Sequence, residues 1–326
     1  MSNKVNDIIN KAIDADEITD LAISICNYKN DNSLLDFETH LDKRCKYFDL
    51  ASLTKILVTY KLCQNLDESL NADIIKYLPN FANRQLFEGL SINDLLTHTS
   101  GLKAWKNFWI NQLDEYSELS LKDKHLRIVK VLDRYKKQEL FKADRSYLYS
   151  DLNYILLGLI LERIYDKEIK ELLVDKNIFY KDQSIDKSEF VNYGYCPIRK
   201  QNIQAIVHDE NSYSLGGLTG HAGAFASFEG IKSYLKEFCL EFEHKLLVAQ
   251  ENPNQKFAFQ FQDTKPLIFN RISVGHLGFV GNDFWVDPKS GYFFILLSNR
   301  VAKKRRSSFM KEFRRDLYRA IAEELL

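Results

Sequence analysis

The sequence predicts an α/β fold, an antiparallel sheet flanked by helices with an inserted all-helical lobe, and three observations carry that prediction. An amphipathic segment and two strand-like runs open the chain, a long block of helical periodicity fills its middle, and three apolar runs separated by glycine-bearing turns precede a last helical segment. The sheet is then assembled from the first strands and the last ones. Residues 1–66 plus 200–326 form the α/β sandwich, and residues 67–199 form the helical lobe that covers the cleft.

Each element has its own warrant. Val5, Ile8, Ile9 and Ala12 recur at helical spacing, which makes residues 3–15 an amphipathic helix. Leu21 to Tyr28 and Leu34 to Thr39 read as a strand pair around the polar turn Lys29-Asn30-Asp31-Asn32. Ser52 opens a helix running to about Leu66, and helical signals continue at Ile92–Leu96, Leu121–Leu132, Asn153–Tyr165 and Ile169–Leu173. Eight of the 13 glycines fall between Gly216 and Gly281, so the backbone there must turn tightly or approach something closely. Leu267–Val274, Phe279–Val286 and Tyr292–Leu297 are expected to form an antiparallel meander, and a helix from Ser307 to Leu326 closes the chain. No internal repeat or flexible linker interrupts this order.

Composition narrows the partners. The 326 residues are 45% hydrophobic, 28% charged and 13% aromatic, a globular balance with enough chain for a sizeable core. Basic and acidic side chains number 45 each, which favours neither nucleic acid nor a membrane surface as the main partner. Lys303-Lys304-Arg305-Arg306 is a local exception, read either as the solvated start of the last helix or as a lobe attracting an anionic ligand. The five cysteines are scattered without Cys-x-x-Cys spacing and read as reduced core residues. The first twenty residues hold no signal-like apolar region, and the longest apolar stretch, Tyr154 to Ile160, is far short of the ~20 residues that span a bilayer. The expected location is the cytoplasm.

The most informative tetrapeptide is Ser52-Leu53-Thr54-Lys55. On a helix, Lys55 at i+3 shares the face of Ser52, so its amine sits beside the hydroxyl, and the helix amino terminus favours negative charge developing there. Taken alone, the same four residues fit a helix cap followed by a solvated lysine. Further along come Leu95-Leu96-Thr97-His98-Thr99-Ser100-Gly101-Leu102, Tyr149-Ser150-Asp151, Gly220-His221-Ala222-Gly223 and His276-Leu277-Gly278. In this order and over nearly the whole chain, these segments resemble the serine β-lactamase-related and penicillin-binding-protein-like hydrolases, in particular the class C β-lactamase and esterase branch.

The resemblance implies a serine hydrolase. Ser52 would attack an acyl carbonyl to give an acyl-enzyme, Lys55 would ease removal of its proton, and Tyr149 would exchange protons with nucleophile, leaving group and water. A phenol beside a cationic amine can have its pKa lowered for that work. The Ser52 and Phe279 backbone N–H groups would form the oxyanion hole, and Asp151, His276, Gly278 and His221 would line the substrate site. Two positions depart from the pattern. Asp151 replaces a neutral asparagine amide with an acceptor, and His276 replaces a lysine with a group expected to titrate near neutrality, so any hold on an anionic substrate should fade as pH rises.

Several residues keep two readings. His221 is a substrate contact or part of a structural turn. His208 and Asp209 with His221 can be drawn as a metal set, against which structural roles are preferred because the spacing fits no zinc pattern. His98 reads as a brace for its turn, and Trp105 and Trp109 as pocket walls or lobe packing. The expected function is acyl-enzyme hydrolysis of a small ester or amide, with a peptidoglycan-derived fragment as one candidate, no metal and no cofactor. The alternatives are a weak β-lactamase or D-amino-acid peptidase, or a catalytically silent protein that binds cell-wall fragments or β-lactams. Oligomeric state is not legible in the sequence.

Overall fold

Six strands pair into one antiparallel sheet in the order Ser33–Thr39, Leu21–Asn27, Tyr292–Ser298, Asp283–Asp287, Ser273–Leu277, Gln260–Gln262. The computed structural model describes residues 3–30, 32–109, 119–180, 184–262, 265–305 and 308–325. Asp31 of the expected first turn, Arg306 of the basic run, and Ser307 and Leu326 of the expected last helix lie outside them. The first strand and the last meet at the centre of the sheet, with Ile25 opposite Phe294.

Period-two alternation divides the sheet between two cores. Leu21, Ile23, Ile25, Trp285, Phe294 and Leu296 face the Asn3–Asp14 and Phe309–Glu324 helices, where they bury Val5, Ile9, Phe313 and Leu317. Ala22, Phe284, Val286, Phe293, Ile295 and Leu297 face the other way, into a larger core shared with Ile56, Leu57, Leu235 and Phe238. Two helices on that side, Phe228–Glu241 and Glu243–Glu251, were not among the expected elements. Their signal is local all the same. Ser227 caps the first by accepting the Gly230 N–H at 3.0 Å, and Phe228, Ile231, Tyr234, Leu235, Phe238 and Cys239 recur on one face.

The expected meander is shifted in two of its three strands. Leu267–Val274 and Phe279–Val286 become Ser273–Leu277 and Asp283–Asp287, because their first residues are used in turns. Asn270, at φ +56°, returns its N–H to the Leu267 carbonyl at 3.1 Å, and Gly281, at φ +114°, returns its N–H to Gly278 at 3.1 Å. Ile268 and Phe269 fill the core from a turn, which from sequence looks like a strand.

A second sheet of Tyr47–Asp49, Phe225–Ser227 and Ile178–Phe179 delivers the chain to Ser52. From there a 3₁₀ turn (Ala51–Leu53), a π-helical segment (Lys55–Tyr60) and a last α-turn (Lys61–Gln64) replace the single helix expected to Leu66. The Asp151–Tyr165 helix is buried continuously from Leu152 to Glu162, as a helix apolar on all sides must be. Among the described residues no helix is long and apolar enough to cross a membrane. All five cysteines are free, four of them buried.

Candidate active site

Asp49 sets the approach to Ser52. Its buried carboxylate accepts the Ala51 N–H at 2.7 Å and the His208 N–H at 2.6 Å. Ala51 sits at φ +48°, a left-handed conformation that costs a non-glycine residue ~1–3 kcal/mol and is held here by the Asp49 bond. Burial pushes the Asp49 carboxyl up to about 6 against those backbone bonds. Ser52 is thereby left partly exposed between the buried Ala51 and Leu53.

Lys55 lies one turn on with no exposed surface. Its Nζ is 2.9 Å from Ser52 Oγ, 2.8 Å from Asp151 Oδ1 and 3.2 Å from the His221 carbonyl oxygen, and it lies 5.0 Å from the centre of the Tyr149 ring, whose phenol it faces. Burial alone would lower the Lys55 pKa. Asp151 first and Tyr149 second outweigh it and hold the amine above the ordinary lysine value, so the resting group is an ammonium. Tyr149 also contacts Ser52, so Ser52, Lys55 and Tyr149 converge. The expected lowering of the Tyr149 pKa is not what this environment gives: desolvation raises it more than Lys55 lowers it, and the phenol keeps its proton.

His98 holds Tyr149 in place. Its Nδ1 accepts the Ser150 N–H and the Asn153 side-chain N–H, each at 3.1 Å, and its ring lies 4.9 Å from that of Tyr149. Burial, then Lys55, lowers the His98 pKa to about 3, so the ring stays neutral and keeps Nδ1 as an acceptor.

Three expected substrate contacts are placed differently. Asp151 is turned onto Lys55 and leaves 19% of its side chain exposed, so its carboxylate is an ion-pair partner before it is a substrate contact. The His221 side chain is enclosed, with Nε2 2.9 Å from Asp209 Oδ1 and Nδ1 2.8 Å from Thr219 Oγ1, and only its carbonyl reaches the site. His276 is fully buried, its Nδ1–H donating to the Leu277 carbonyl at 2.7 Å and its ring 5.5 Å from that of Tyr149. Burial and then Lys55 hold the His276 pKa well below the imidazole range, which removes the expected cation.

Gly278 lies against the Leu50 carbonyl and donates its N–H to Asn282 at 2.7 Å, which brings the chain past Ser52. Among the described residues neither the Ser52 nor the Phe279 N–H donates to a backbone carbonyl, as an oxyanion hole requires. The Phe279 ring is half-exposed at the rim between the Arg300 and Arg305 guanidinium groups, 5.1 and 5.4 Å from its centroid. Trp105 is also half-exposed and meets Trp109 edge-on at 5.4 Å. Its neighbour Ala104 accepts the Asp151 N–H at 2.9 Å.

The rest of the sequence reading resolves into structure. His208 turns to Phe279 and Tyr193, so only Asp209 and His221 of the drawn metal set meet, and no group of three His, Cys, Asp or Glu fit to hold a metal occurs among the described residues. Lys303 pairs with Asp16 at 2.7 Å, Lys304 with Glu17 at 3.7 Å and Arg305 with Glu210 at 2.9 Å, so the three described residues of the basic run form loop ion pairs ahead of the Phe309–Glu324 helix. Asp209 takes the structural role preferred for it, holding His221, whereas Asp49 and Thr219 were not among the residues singled out as supports. Asp49 had a readable signal, since a carboxylate capturing the N–H two residues on is an Asx turn.

Backbone contact locks the turn that supplies His221 onto the Asp151–Tyr165 helix. A Cβ on Gly220 would stand 1.9 Å from the Tyr154 carbonyl oxygen, and one on Gly158 would stand 2.7 Å from the Gly220 nitrogen. Thr59 Oγ1 donates to the Gly220 carbonyl at 2.6 Å from the third side.

The sequence matches the Beta-lactamase family profile over residues 46–179. It is 25% identical over 304 residues to a putative D-alanyl-D-alanine carboxypeptidase of Escherichia coli K12, covering 78% of this chain and 69% of that one. Identity is also 25% over 305 residues to an N-acetylmuramyl-L-alanine amidase of Bacillus subtilis 168, covering 78% and 68%. In structure it is similar to the D-amino acid amidase of Ochrobactrum anthropi SV3, with TM-score 0.69, 15% identity and 98% of each chain covered.

Proposed function

We propose, from the premise that this chain belongs to the serine β-lactamase and penicillin-binding-protein-like family of hydrolases, that it cleaves a small amide or ester through an acyl-enzyme on Ser52. The observation that carries this reading is the convergence on Ser52 Oγ of Lys55 Nζ, at 2.9 Å, and the Tyr149 hydroxyl. A cation beside the serine stabilises the charge it develops on attack, and a protonated phenol can hand a proton to the leaving group. The unpaired Ser52 and Phe279 N–H groups meet the developing oxyanion.

The substrate follows from the walls. A neutral His276 offers no fixed charge for a carboxylate, while half-exposed Trp105 and Phe279 offer apolar surface. A peptide-like amide fits better than a substrate that must be held by a terminal carboxylate, and a peptidoglycan-derived fragment is one source of such amides. The relatives named as amidases and a carboxypeptidase support the choice of amide.

The test is a panel of D- and L-amino acid amides, D-alanyl-D-alanine peptides, a p-nitrophenyl ester and a chromogenic cephalosporin, with intact mass followed through turnover. Amides and the ester should be cleaved with a transient adduct on Ser52, and the ester should exceed the cephalosporin by about 100-fold in kcat/KM. An adduct that forms and never clears makes the protein a binder, and comparable cephalosporin turnover makes it a β-lactamase.

A further inference from the structure

We propose that Asp151 is the terminal acceptor for the Ser52 proton, receiving it by relay through Lys55, which is an ammonium before and after the transfer. The inference rests on the acyl-enzyme reading of Ser52. It begins from a count of hydrogens. An ammonium has three N–H donors and no acceptor. Ser52 Oγ at 2.9 Å and the His221 carbonyl at 3.2 Å accept two of the three, and Asp151 Oδ1, an ion-pair contact at 2.8 Å, faces the third. Nζ has no lone pair left for the Ser52 proton unless one of its own protons leaves.

Asp151 is the one group able to receive that proton. Facing Lys55 are Ser52 from its own segment, Tyr149, Asp151 and Tyr154 from the lobe, His98 from its turn, His276 from the sheet, and Asp209 and His221 behind. Tyr149 keeps its proton, and His98 Nδ1 is occupied by Ser150 and Asn153. Asp209 is bonded to His221, and His276, which donates Nδ1–H to its own strand, has its free Nε2 disfavoured as a base by burial and by the nearby Lys55 ammonium. Among these, Asp151 is the anion paired directly with Nζ.

In the step, a bond forms between Ser52 Oγ and the substrate carbonyl carbon, and the carbonyl π pair moves onto oxygen at the Ser52 and Phe279 N–H groups. An Nζ proton passes to Asp151 Oδ1, leaving a neutral carboxylic acid, and rotation about the Cε–Nζ bond turns the freed lone pair to Ser52, where it takes the Oγ proton. When the bond to the leaving nitrogen or oxygen breaks, that proton returns through Lys55 and the Tyr149 hydroxyl to the leaving group. Water then retraces the route against the acyl-enzyme. The asparagine amide that Asp151 replaces cannot do this, because an amide oxygen is not a base at these pH values. Burial alone would favour a neutral Lys55, and the carboxylate reverses that preference, so the anion and the ammonium belong together.

The test compares phosphonylation by a fluorophosphonate, with loss of fluoride, in the wild type and D151N from about pH 6 to 10, reading the rate and the labelled residue by intact mass and peptide mapping. The wild-type rate should be flat across the neutral range. D151N should be about 100-fold slower at pH 6 and should rise about tenfold per pH unit until Lys55 has lost its proton and serves as base itself. A D151N profile parallel to the wild type, or a rate within about threefold of it at pH 6, overturns the proposal. Wild-type protein that takes no label on Ser52 overturns the acyl-enzyme reading instead. Independently of any variant's folding, 15N-lysine NMR of the wild type should find Lys55 still an ammonium at about pH 9. An amine below about pH 8 sinks the idea.

Discussion

Two buried lysines in this molecule are held in nearly the same way, and only one of them touches a nucleophile. Lys124 donates to Glu162 at 2.5 Å and to the Leu218 carbonyl at 2.9 Å, as Lys55 does to Asp151 and the His221 carbonyl. Both carboxylates come from the Asp151–Tyr165 helix, and both carbonyls come from the turn around Gly220. Glu162 is closed off on every side, accepting His125 at 2.9 Å and the Ile169 N–H at 3.1 Å as well, and Lys124 with those neighbours holds its carboxyl below the usual range despite burial. Asp151 keeps part of its side chain in the open and shares its lysine with Ser52. The contrast separates two uses of one motif: a pair with all partners satisfied ties the Asp151–Tyr165 helix to the turn around Gly220, and a pair with a hydroxyl inserted into it can move a proton.

The largest effects should fall on activity and on one member of the comparison. Ser52→Ala and Lys55→Ala are each expected to lower kcat/KM by ~10⁴-fold or more, since such groups act as a unit, while urea unfolding shifts little. Near-normal turnover by either variant would dissolve the distinction. Lys124→Ala should do the reverse. It strands a fully buried Glu162 and should cost ~3–5 kcal/mol in chemical denaturation, with kcat/KM of the remaining folded protein within a few-fold of normal. A comparable stability loss in Lys55→Ala would mean that the two pairs are structurally equivalent.

Gly220→Ala tests what the pairs share. Its methyl would meet the Tyr154 carbonyl oxygen at 1.9 Å, so the turn must move, and a loss of ~3 kcal/mol together with reduced activity is expected. Loss of only one of the two would show that the lysines are positioned separately. A smaller effect belongs to a third caged cation. His40 sits 3.0 Å from both Asp20 and Glu38, and these bonds overcome burial to raise its pKa to about 9. Its stabilisation is complete below the unfolded pKa near 6.5 and is lost as pH rises through about 9, amounting to ~1–3 kcal/mol. Unfolding free energies of the wild type and His40→Gln should therefore differ at pH 6 and converge by about pH 10, whereas a constant difference would remove the linkage. Least of all is expected from His276: being neutral, it should give anionic and neutral esters the same pH dependence of KM between about pH 6 and 8. Divergent profiles would restore a charge to it.

What the sequence disclosed about this site is what depends on local spacing. Ser52 and Lys55 meet because i and i+3 share a face, and the order of the later motifs was enough to bring Tyr149 and His98 to the same centre. What stayed hidden depends on direction and depth. The identity of residue 151 said acceptor but not that it would turn inward to a lysine, and nothing in a histidine side chain at 221 announces a role for its carbonyl. His276 looked titratable because a sequence carries no record of burial. In the fold, Ile268 and Phe269 imitated a strand by filling a core from a turn, and the glycines around Gly216 drew attention from the capped, periodic helix that starts at Phe228.

The seam at Gly158 and Gly220 has one more consequence. A side chain caught between two elements yields by changing rotamer, so contacts through side chains drift as neighbouring residues are exchanged over generations. Main chain against main chain has no such play, and what it joins stays in register whatever the surface around it becomes. Trp105, Phe279 and the other rim residues are therefore free to be recut for a new substrate without disturbing the distance between an amine and a hydroxyl that the cleavage depends on.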